Sequence, residues 1–132
     1  MKYIDKLRNS GLRPTKQRLQ ICEVLFDTEK TFHFTINELD KKIKKQKNNK
    51  ISLATIYNCL NQFTKHEILK SVSLSGDRVY FDTNTHGHHH FFCKSTKKLS
   101  DIKSSDVKIL NLPKIPKGKK LESVEVVVNI TD

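Results

Sequence analysis

The chain has 132 residues, of which 36% are hydrophobic, and carries a formal net charge of +11 at pH 7. This length allows one domain or two small ones, and small lobes usually need a partner, a metal or each other for stability. The charge suits a polyanionic partner such as nucleic acid, although a solvated lysine-rich surface would carry it too. No apolar run is long enough for a membrane span and the N-terminus has no signal-like apolar stretch, so we expect a soluble cytoplasmic protein with no membrane partner.

The sequence predicts three helices before a fourth helix, which has the clearest apolar pattern. The first covers residues 2–9 and ends before Gly11, and the second begins after Thr15, a candidate N-cap. The third begins with a capping box made by Thr35 and Glu38 and ends in a lysine-rich stretch.

The fourth helix is predicted to begin after Ser52, a candidate N-cap. Apolar residues recur along it at i, i+3, i+4 and i+7, namely Ile56, Cys59, Leu60 and Phe63. Two short alternating runs follow, residues 69–74 and 79–81, and residues 75–77 (Ser-Gly-Asp) join them as in a β-hairpin. Helices followed by a hairpin are typical of a winged helix.

The sequence becomes rich in β patterns after Thr85. Short strands are predicted over residues 88–93 and 98–102, and residues 123–130 form an alternating apolar strand. Because this half is too small to bury the last strand alone, we expect it to form a homodimer.

The predicted fold class is therefore α+β. Residues 1–83 are expected to form a winged helix-turn-helix domain that binds DNA. Residues 84–132 are expected to form a small α/β domain for dimerisation and ligand sensing, with a three-stranded antiparallel sheet.

The cysteines occur at unrelated spacings and form no CxxC pair, so neither a disulfide framework nor a four-cysteine zinc site is available. An odd number of cysteines favours a reducing cytosol. Cys22 and Cys59 lie on apolar helical faces and are expected in the core.

Polar and aromatic side chains on the outer face of the fourth helix suit the major groove of DNA. Tyr57 offers a ring to thymine methyls, and amide side chains can pair with bases. Hydroxyls near the helix N-terminus can bind phosphate. The spacing also fits an ordinary amphipathic helix. The candidate DNA-binding residues are Ser52, Thr55, Tyr57, Asn58, Asn61 and Gln62 on this helix, with Arg13, Arg18, Lys70 and Arg78 beside it in the expected fold.

A histidine cluster, His86-Gly87-His88-His89-His90, begins the second half. On a strand, His88 and His90 would project to one face and His89 to the other. Two imidazoles do not complete a metal site, and His33, Asp82 and Asp101 are the candidates that folding could add. The alternative is a solvated histidine loop that binds metal opportunistically.

Two segments resemble the ferric-uptake-regulator family. Residues 52–60, Ser-Leu-Ala-Thr-Ile-Tyr-Asn-Cys-Leu, are similar to its recognition-helix motif S-x-A-T-[VI]-Y-[RN]-x-L, and residues 11–18 resemble the segment before its second helix. These motifs, the hairpin and the histidines follow the family order over nearly the whole chain. The resemblance implies a dimeric repressor that reads an A/T-rich inverted repeat of double-stranded DNA, with Tyr57 and Asn58 on bases and Arg13 in or near the minor groove. The commoner family residue at position 58 is Arg, so base preference there is expected to differ.

The resemblance also implies a ligand set for a regulatory ion (Fe²⁺, Mn²⁺ or Zn²⁺) that joins the two halves and fixes their orientation. His86 and His89 could belong to a second site found in some relatives. No structural zinc is expected, because Thr96 stands where a partner of Cys93 would be. The residues that match the regulatory site are His33, Asp82, His88, His90 and Asp101.

The missing CxxC pairs and the valine-rich last strand look most like the iron-response-regulator branch, which responds to haem status. Imidazoles are good axial ligands of haem iron, so residues 88–90 could hold haem instead of an ion. Other classes stay open: a metal-storage or metal-chaperone protein without specific DNA binding, and a nucleoid protein without ligand response. An enzyme is not expected, since no H-E-x-x-H motif and no nucleophile with a partnered base occurs.

Overall fold

The computed structural model describes residues 2–47, 50–74 and 79–132. The chain forms two compact units, residues 1–85 and residues 86–132. The first unit contains α1 (Ile4–Asn9), α2 (Lys16–Phe26), β1 (His33–Phe34), α3 (Ile36–Lys47), α4 (Leu53–Lys65), β2 (Lys70–Ser73) and β3 (Val79–Asp82). The second contains β4 (His89–Cys93), β5 (Lys98–Ile102), a 3-10 turn at Ser104–Asp106 and β6 (Val127–Ile130). Within the described ranges, no helix has the length and apolarity to cross a membrane.

Local hydrogen bonds confirm the predicted starts of three helices. Thr15 Oγ1 accepts from the backbone N–H of Arg18 at the start of α2. At α3, the Thr35 and Glu38 side chains accept each other's backbone N–H at 3.2 and 3.0 Å, the reciprocal pattern of a capping box. Ser52 Oγ accepts from the backbone N–H of Thr55 at 3.1 Å and so caps α4.

The first helix begins at Ile4 and not at residue 2, so it is shorter than predicted. The Lys2 and Tyr3 side chains instead bond to Asp27, the C-cap residue that follows α2. Gly11, with φ at +86°, ends α1 where the sequence predicts, because glycine adopts this backbone conformation without a steric penalty.

The apolar stripes of the helices pack into one core in the first unit. The predicted stripe of α4 is confirmed, since Ile56, Cys59, Leu60 and Phe63 are all buried. Cys22 and Cys59 lie in the same core, as predicted, and burial raises the pKa of each thiol to about 12. Both therefore remain protonated and serve as packing residues.

The sheet of the first unit has the order β1-β3-β2, and both pairs are antiparallel. Strands β2 and β3 form the predicted hairpin, but its turn at residues 75–77 and Arg78 lie outside the described residues. Strand β1 is not predicted from the sequence, because two residues are too few for a periodic pattern. It pairs His33 with Asp82, and Phe34 stacks on Phe81.

The sheet of the second unit has the order β5-β4-β6 and is mixed, which corrects the predicted antiparallel sheet. Strands β4 and β5 are antiparallel, whereas β4 and β6 are parallel. A parallel pair needs a connection of about a dozen residues or more, and residues 94–126, which include β5, connect β4 to β6.

The last strand begins at Val127 and not at residue 123. Strand β4 begins at His89, and Val127 already pairs with His90, so residues before Val126 have almost no partner strand left. The predicted α/β character of this unit is also wrong in its described residues, where the only helical element is the 3-10 turn. Prolines at positions 113 and 116 disfavour a helix in the long connection.

Candidate functional site

Helix α4 presents the side chains that the sequence predicts for reading DNA. Its buried stripe packs against the core, which leaves Tyr57, Asn58 and Asn61 exposed on the outer face. Tyr57 is 54% exposed although it is a large aromatic residue. The helix contains no acidic residue, so its outer face carries no carboxylate that would repel phosphate.

The hydroxyls at the start of α4 act on the helix itself. Ser52 Oγ accepts from the Thr55 backbone N–H, and the Ser52 and Thr55 hydroxyls hydrogen-bond to each other at 2.9 Å. Ser52 is therefore an N-cap, and the predicted phosphate contact of these two residues stays a prediction.

The two arginines near α2 differ in their surroundings. Arg13 is exposed, whereas Arg18 is half-buried and its Nη1 donates to the Arg13 carbonyl oxygen at 3.0 Å. Arg18 thus braces the segment that carries Arg13. Between α2 and α4 lies an open groove of about 260 Å³, lined by Thr15, Gln17, Arg18, Thr55, Asn58, Cys59 and Gln62.

His33 and Asp82, here called the wing pair, meet in the first unit because β1 and β3 place them directly opposite each other. His33 Nε2 lies 3.2 Å from Asp82 Oδ2. The other carboxylate oxygen of Asp82 accepts from the Asn84 backbone N–H at 2.9 Å, which holds the carboxylate in place. Asp82 is only 1% exposed, and a buried carboxylate requires such partners.

His88, His90 and Asp101, here called the strand triad, meet in the second unit. His90 lies opposite Asp101 in the β4–β5 register. Asp101 Oδ1 is 3.2 Å from His88 Nε2 and 3.5 Å from His90 Nε2. His88 Nδ1 donates to the carbonyl oxygen of His86 at 2.6 Å, so its Nε2 faces the carboxylate. A ring N–H held by a backbone carbonyl is the usual way to orient a metal-binding histidine.

Alternation along β4 assigns His89 to the face opposite His90. His89 Nδ1 accepts a hydrogen bond from the backbone N–H of Val126 at 3.0 Å and so joins β4 to the start of β6. His86 contributes its backbone carbonyl to His88. A second metal site at His86 and His89 stays a prediction.

Cys93, at the end of β4, has an environment that sequence reasoning missed. Its sulfur lies 3.2 Å from Ser95 Oγ. Hydrogen bonds from Ser95 and then Thr96 lower the pKa of the thiol to about 7. The run Cys-Lys-Ser-Thr contains these donors, but only the turn after β4 brings them to the sulfur.

A family model described as the ferric uptake regulator family matches residues 9–130. The chain belongs to the ferric uptake regulator family. Members of this family are transcription regulators, not enzymes.

Curated relatives in this family include the peroxide-responsive repressors PerR of two staphylococci. The chain is 36% identical to that of Staphylococcus epidermidis over 75% of this chain and 64% of the relative, and 35% identical to that of Staphylococcus aureus over 75% and 65%. It thus matches just under two thirds of their length. These relatives support the ferric uptake regulator family and not specifically the iron-response-regulator branch.

Solved structures of similar proteins, among them two ferric uptake regulators, confirm the α+β fold class. The ferric uptake regulator from Pseudomonas aeruginosa with manganese has a TM-score of 0.74 at 20% identity, covering 100% of this chain and 98% of that one. The Vibrio cholerae ferric uptake regulator has a TM-score of 0.73 at 23% identity, covering 99% and 100%. The Campylobacter jejuni peroxide stress regulator has a TM-score of 0.65 at 23% identity, covering 100% and 97%. At these identities the likeness concerns the fold alone.

Proposed function

We propose that this chain is a homodimeric, metal-dependent transcription regulator that binds double-stranded DNA through α4. The observation that carries the proposal is the outer face of α4. It lies on a helix fixed by an N-cap and a buried stripe, exposes Tyr57, Asn58 and Asn61, and has no carboxylate. N-terminal residues of such a helix reach base edges when the helix enters the major groove.

Arg13 and Arg18 have separate roles in this proposal. Arg13 is exposed and available to enter a minor groove, where the narrow width of A/T-rich DNA attracts arginine. Arg18 holds the Arg13 carbonyl and so restricts the path of that segment. Two copies related by a twofold axis would then read an A/T-rich inverted repeat.

We propose further that the wing pair and the strand triad supply ligands to one divalent ion. Together they offer three imidazole nitrogens and two carboxylates, a donor set that fits Fe²⁺, Mn²⁺ or Zn²⁺. Asp82 and His88 already have partners that orient them, and only residues 83–87 separate them, so their separation cannot exceed about 20 Å. A bound ion would neutralise the carboxylates of Asp82 and Asp101 and restrict the relative orientation of the two units.

A small ion fits the strand triad better than haem. The Asp101 carboxylate occupies the space in front of the Nε2 atoms of both His88 and His90, where haem iron would have to lie. The Nδ1 atom of His89 already accepts a hydrogen bond from the backbone N–H of Val126.

Peroxide is the second candidate signal, since the curated relatives are named peroxide-responsive repressors. Fe²⁺ can be oxidised by peroxide, whereas Zn²⁺ has no redox chemistry. We therefore expect hydrogen peroxide to abolish DNA binding of the Fe²⁺-loaded protein and to leave the Zn²⁺-loaded protein unaffected. Equal sensitivity of both forms would contradict a role for the ion.

Footprinting of the purified chain on its own promoter tests the proposed function. The chain is used alone and with Fe²⁺ under anaerobic conditions, Mn²⁺, Zn²⁺ or haem. We expect a divalent ion to induce protection of an inverted repeat. Tight metal binding without site-specific protection would identify a metal-storage protein, and protection independent of every ligand would identify a nucleoid protein.

A further inference from the structure

Leu53 is apolar, yet it is exposed and does not belong to the core of the first unit. It is the first residue of α4 and is 46% exposed. Among the residues that the structure describes in the first unit, the exposed large apolar side chains are Leu53, Tyr57 and Val79. Two of these three therefore lie in the first two turns of α4.

Leu53 and Tyr57 lie on the same side of α4, because residues four apart on a helix are surface neighbours. The Ser52 cap fixes where the helix begins, and burial of Ile56 and Leu60 fixes how it is rotated. Both features hold Leu53 and Tyr57 beside each other at the edge of the outer face. We define these two residues as the apolar strip.

The surroundings of the apolar strip are suited to DNA and not to an acidic partner. Helix α4 has no acidic residue, and the exposed amide side chain of Asn61, four residues after Tyr57, lies next to the strip on the outer face. Residues 1–85 hold 16 lysines and arginines against nine acidic residues, a net charge of +7. An apolar strip at a helix N-terminus on a basic unit matches a major groove that displays thymine methyl groups.

We propose that the apolar strip recognises thymine C5-methyl groups, with Leu53 contacting a thymine within about two base pairs of the one contacted by Tyr57. The two residues are about 6 Å apart along the helix axis, from a rise of about 1.5 Å per residue. Base pairs are about 3.4 Å apart along one strand, which gives that interval. The proposal rests on the proposed function, because it requires α4 to enter the major groove.

The test combines a DNA change with a protein change. The full chain with Mn²⁺ first selects its preferred site from random-sequence DNA. Each thymine of that site is then replaced by deoxyuridine, which removes the methyl group and keeps every hydrogen-bonding atom. Affinities are measured for the natural chain, for Leu53→Asn, and for Leu53→Met as the control that keeps an apolar side chain.

We expect one thymine in each half-site at which deoxyuridine weakens binding of the natural chain and of Leu53→Met by about threefold to tenfold, the effect of burying one methyl group. Leu53→Asn should show no loss at that position and an unchanged loss at the thymine contacted by Tyr57.

Equal losses in all three proteins, or no loss in any, would overturn the inference and leave the proposed function intact. Failure of the natural chain to select any site would overturn the proposed function and the inference with it. Because Leu53 is exposed, the thermal unfolding midpoints of the three proteins should agree, and a lower midpoint for Leu53→Asn alone would mean that the residue packs rather than reads DNA.

Discussion

Hydrogen-bond partners give neighbouring residues of the same type different roles. His88 and His89 are consecutive, yet His88 Nε2 faces Asp101 whereas His89 Nδ1 accepts from the Val126 backbone. Strand alternation predicts the two faces, but it does not predict these partners. Substitution of the two histidines should therefore change different properties of the protein.

We expect His88→Ala to weaken Mn²⁺ binding at least about tenfold and to remove metal-dependent DNA binding. His89→Ala should keep both, but should lower the free energy of unfolding by about 1 kcal/mol, because the Val126 N–H loses its acceptor. Calorimetric titration with Mn²⁺ and urea denaturation measure the two effects. His33→Ala should behave as His88→Ala does, and an unchanged Mn²⁺ affinity in His33→Ala would contradict a single site built from the wing pair and the strand triad.

Cys93 should react with iodoacetamide as a thiolate at neutral pH. Hydrogen bonds from Ser95 and Thr96 lower its pKa to about 7, so the rate should rise with pH around a midpoint near 7. Cys22 and Cys59, whose pKa values are about 12, should not react in the folded protein. Mass spectrometry of alkylated peptides measures each rate. Ser95→Ala should move the Cys93 midpoint upward, and a natural midpoint no lower than that of free cysteine, about 8.5, would show that these hydrogen bonds have no effect.

At the scale of helices and strands, elements stabilised by local contacts are the predictable ones. Ser52 and the pair Thr35 and Glu38 act within one helical turn, so their residue types alone indicate where α4 and α3 begin. Strand β1 has two residues and forms only by pairing with β3. The periodicity of the sequence does not predict this pairing. The direction of β6 depends on how residues 103–126 cross the sheet, another non-local feature. The wing pair depends on β1, so its residues can be named from the sequence but their contact cannot.

Helix α4 allows stability and recognition to be separated. Ser52→Ala removes the N-cap and should lower the free energy of unfolding by about 1 kcal/mol, whereas Ser52→Asn should retain most of it. Tyr57→Ala should leave stability nearly unchanged, because the side chain is exposed, but should cost about 1–3 kcal/mol at the specific DNA site. Urea denaturation and binding to specific and random DNA distinguish the two. An equal loss of affinity on both DNAs for Tyr57→Ala would mean that Tyr57 contacts only the DNA backbone.

At the scale of the whole molecule, the second unit exposes several large apolar side chains. Phe91, Val128 and Ile130 on its sheet are each more than a third exposed, and Leu110 in the long connection is 85% exposed. This surface, in a unit of so few residues, is the physical reason to expect a second copy.

We expect the chain to be a dimer at micromolar concentration and Ile130→Lys to be a monomer, because a lysine cannot be buried without a partner. The monomeric variant should bind a single half-site much more weakly than the dimer binds the inverted repeat. Light scattering gives the mass, with Lys114→Glu as an exposed control that should remain dimeric. A natural chain that remains monomeric at this concentration would contradict the proposal.

The parallel pairing of β4 with β6 also determines the order in which the second unit can fold. Strands β4 and β5 are joined by a short turn and can pair as soon as Ile102 is present, whereas β6 must close a much longer loop, and contacts distant in sequence form more slowly. During that interval one edge of β4 has no partner, and an unpaired strand edge is a template for other chains. The His89–Val126 hydrogen bond lies at the first point where β6 reaches this edge. In the folded unit, His89 thus lies where β6 begins to cover the edge that is open before β6 pairs.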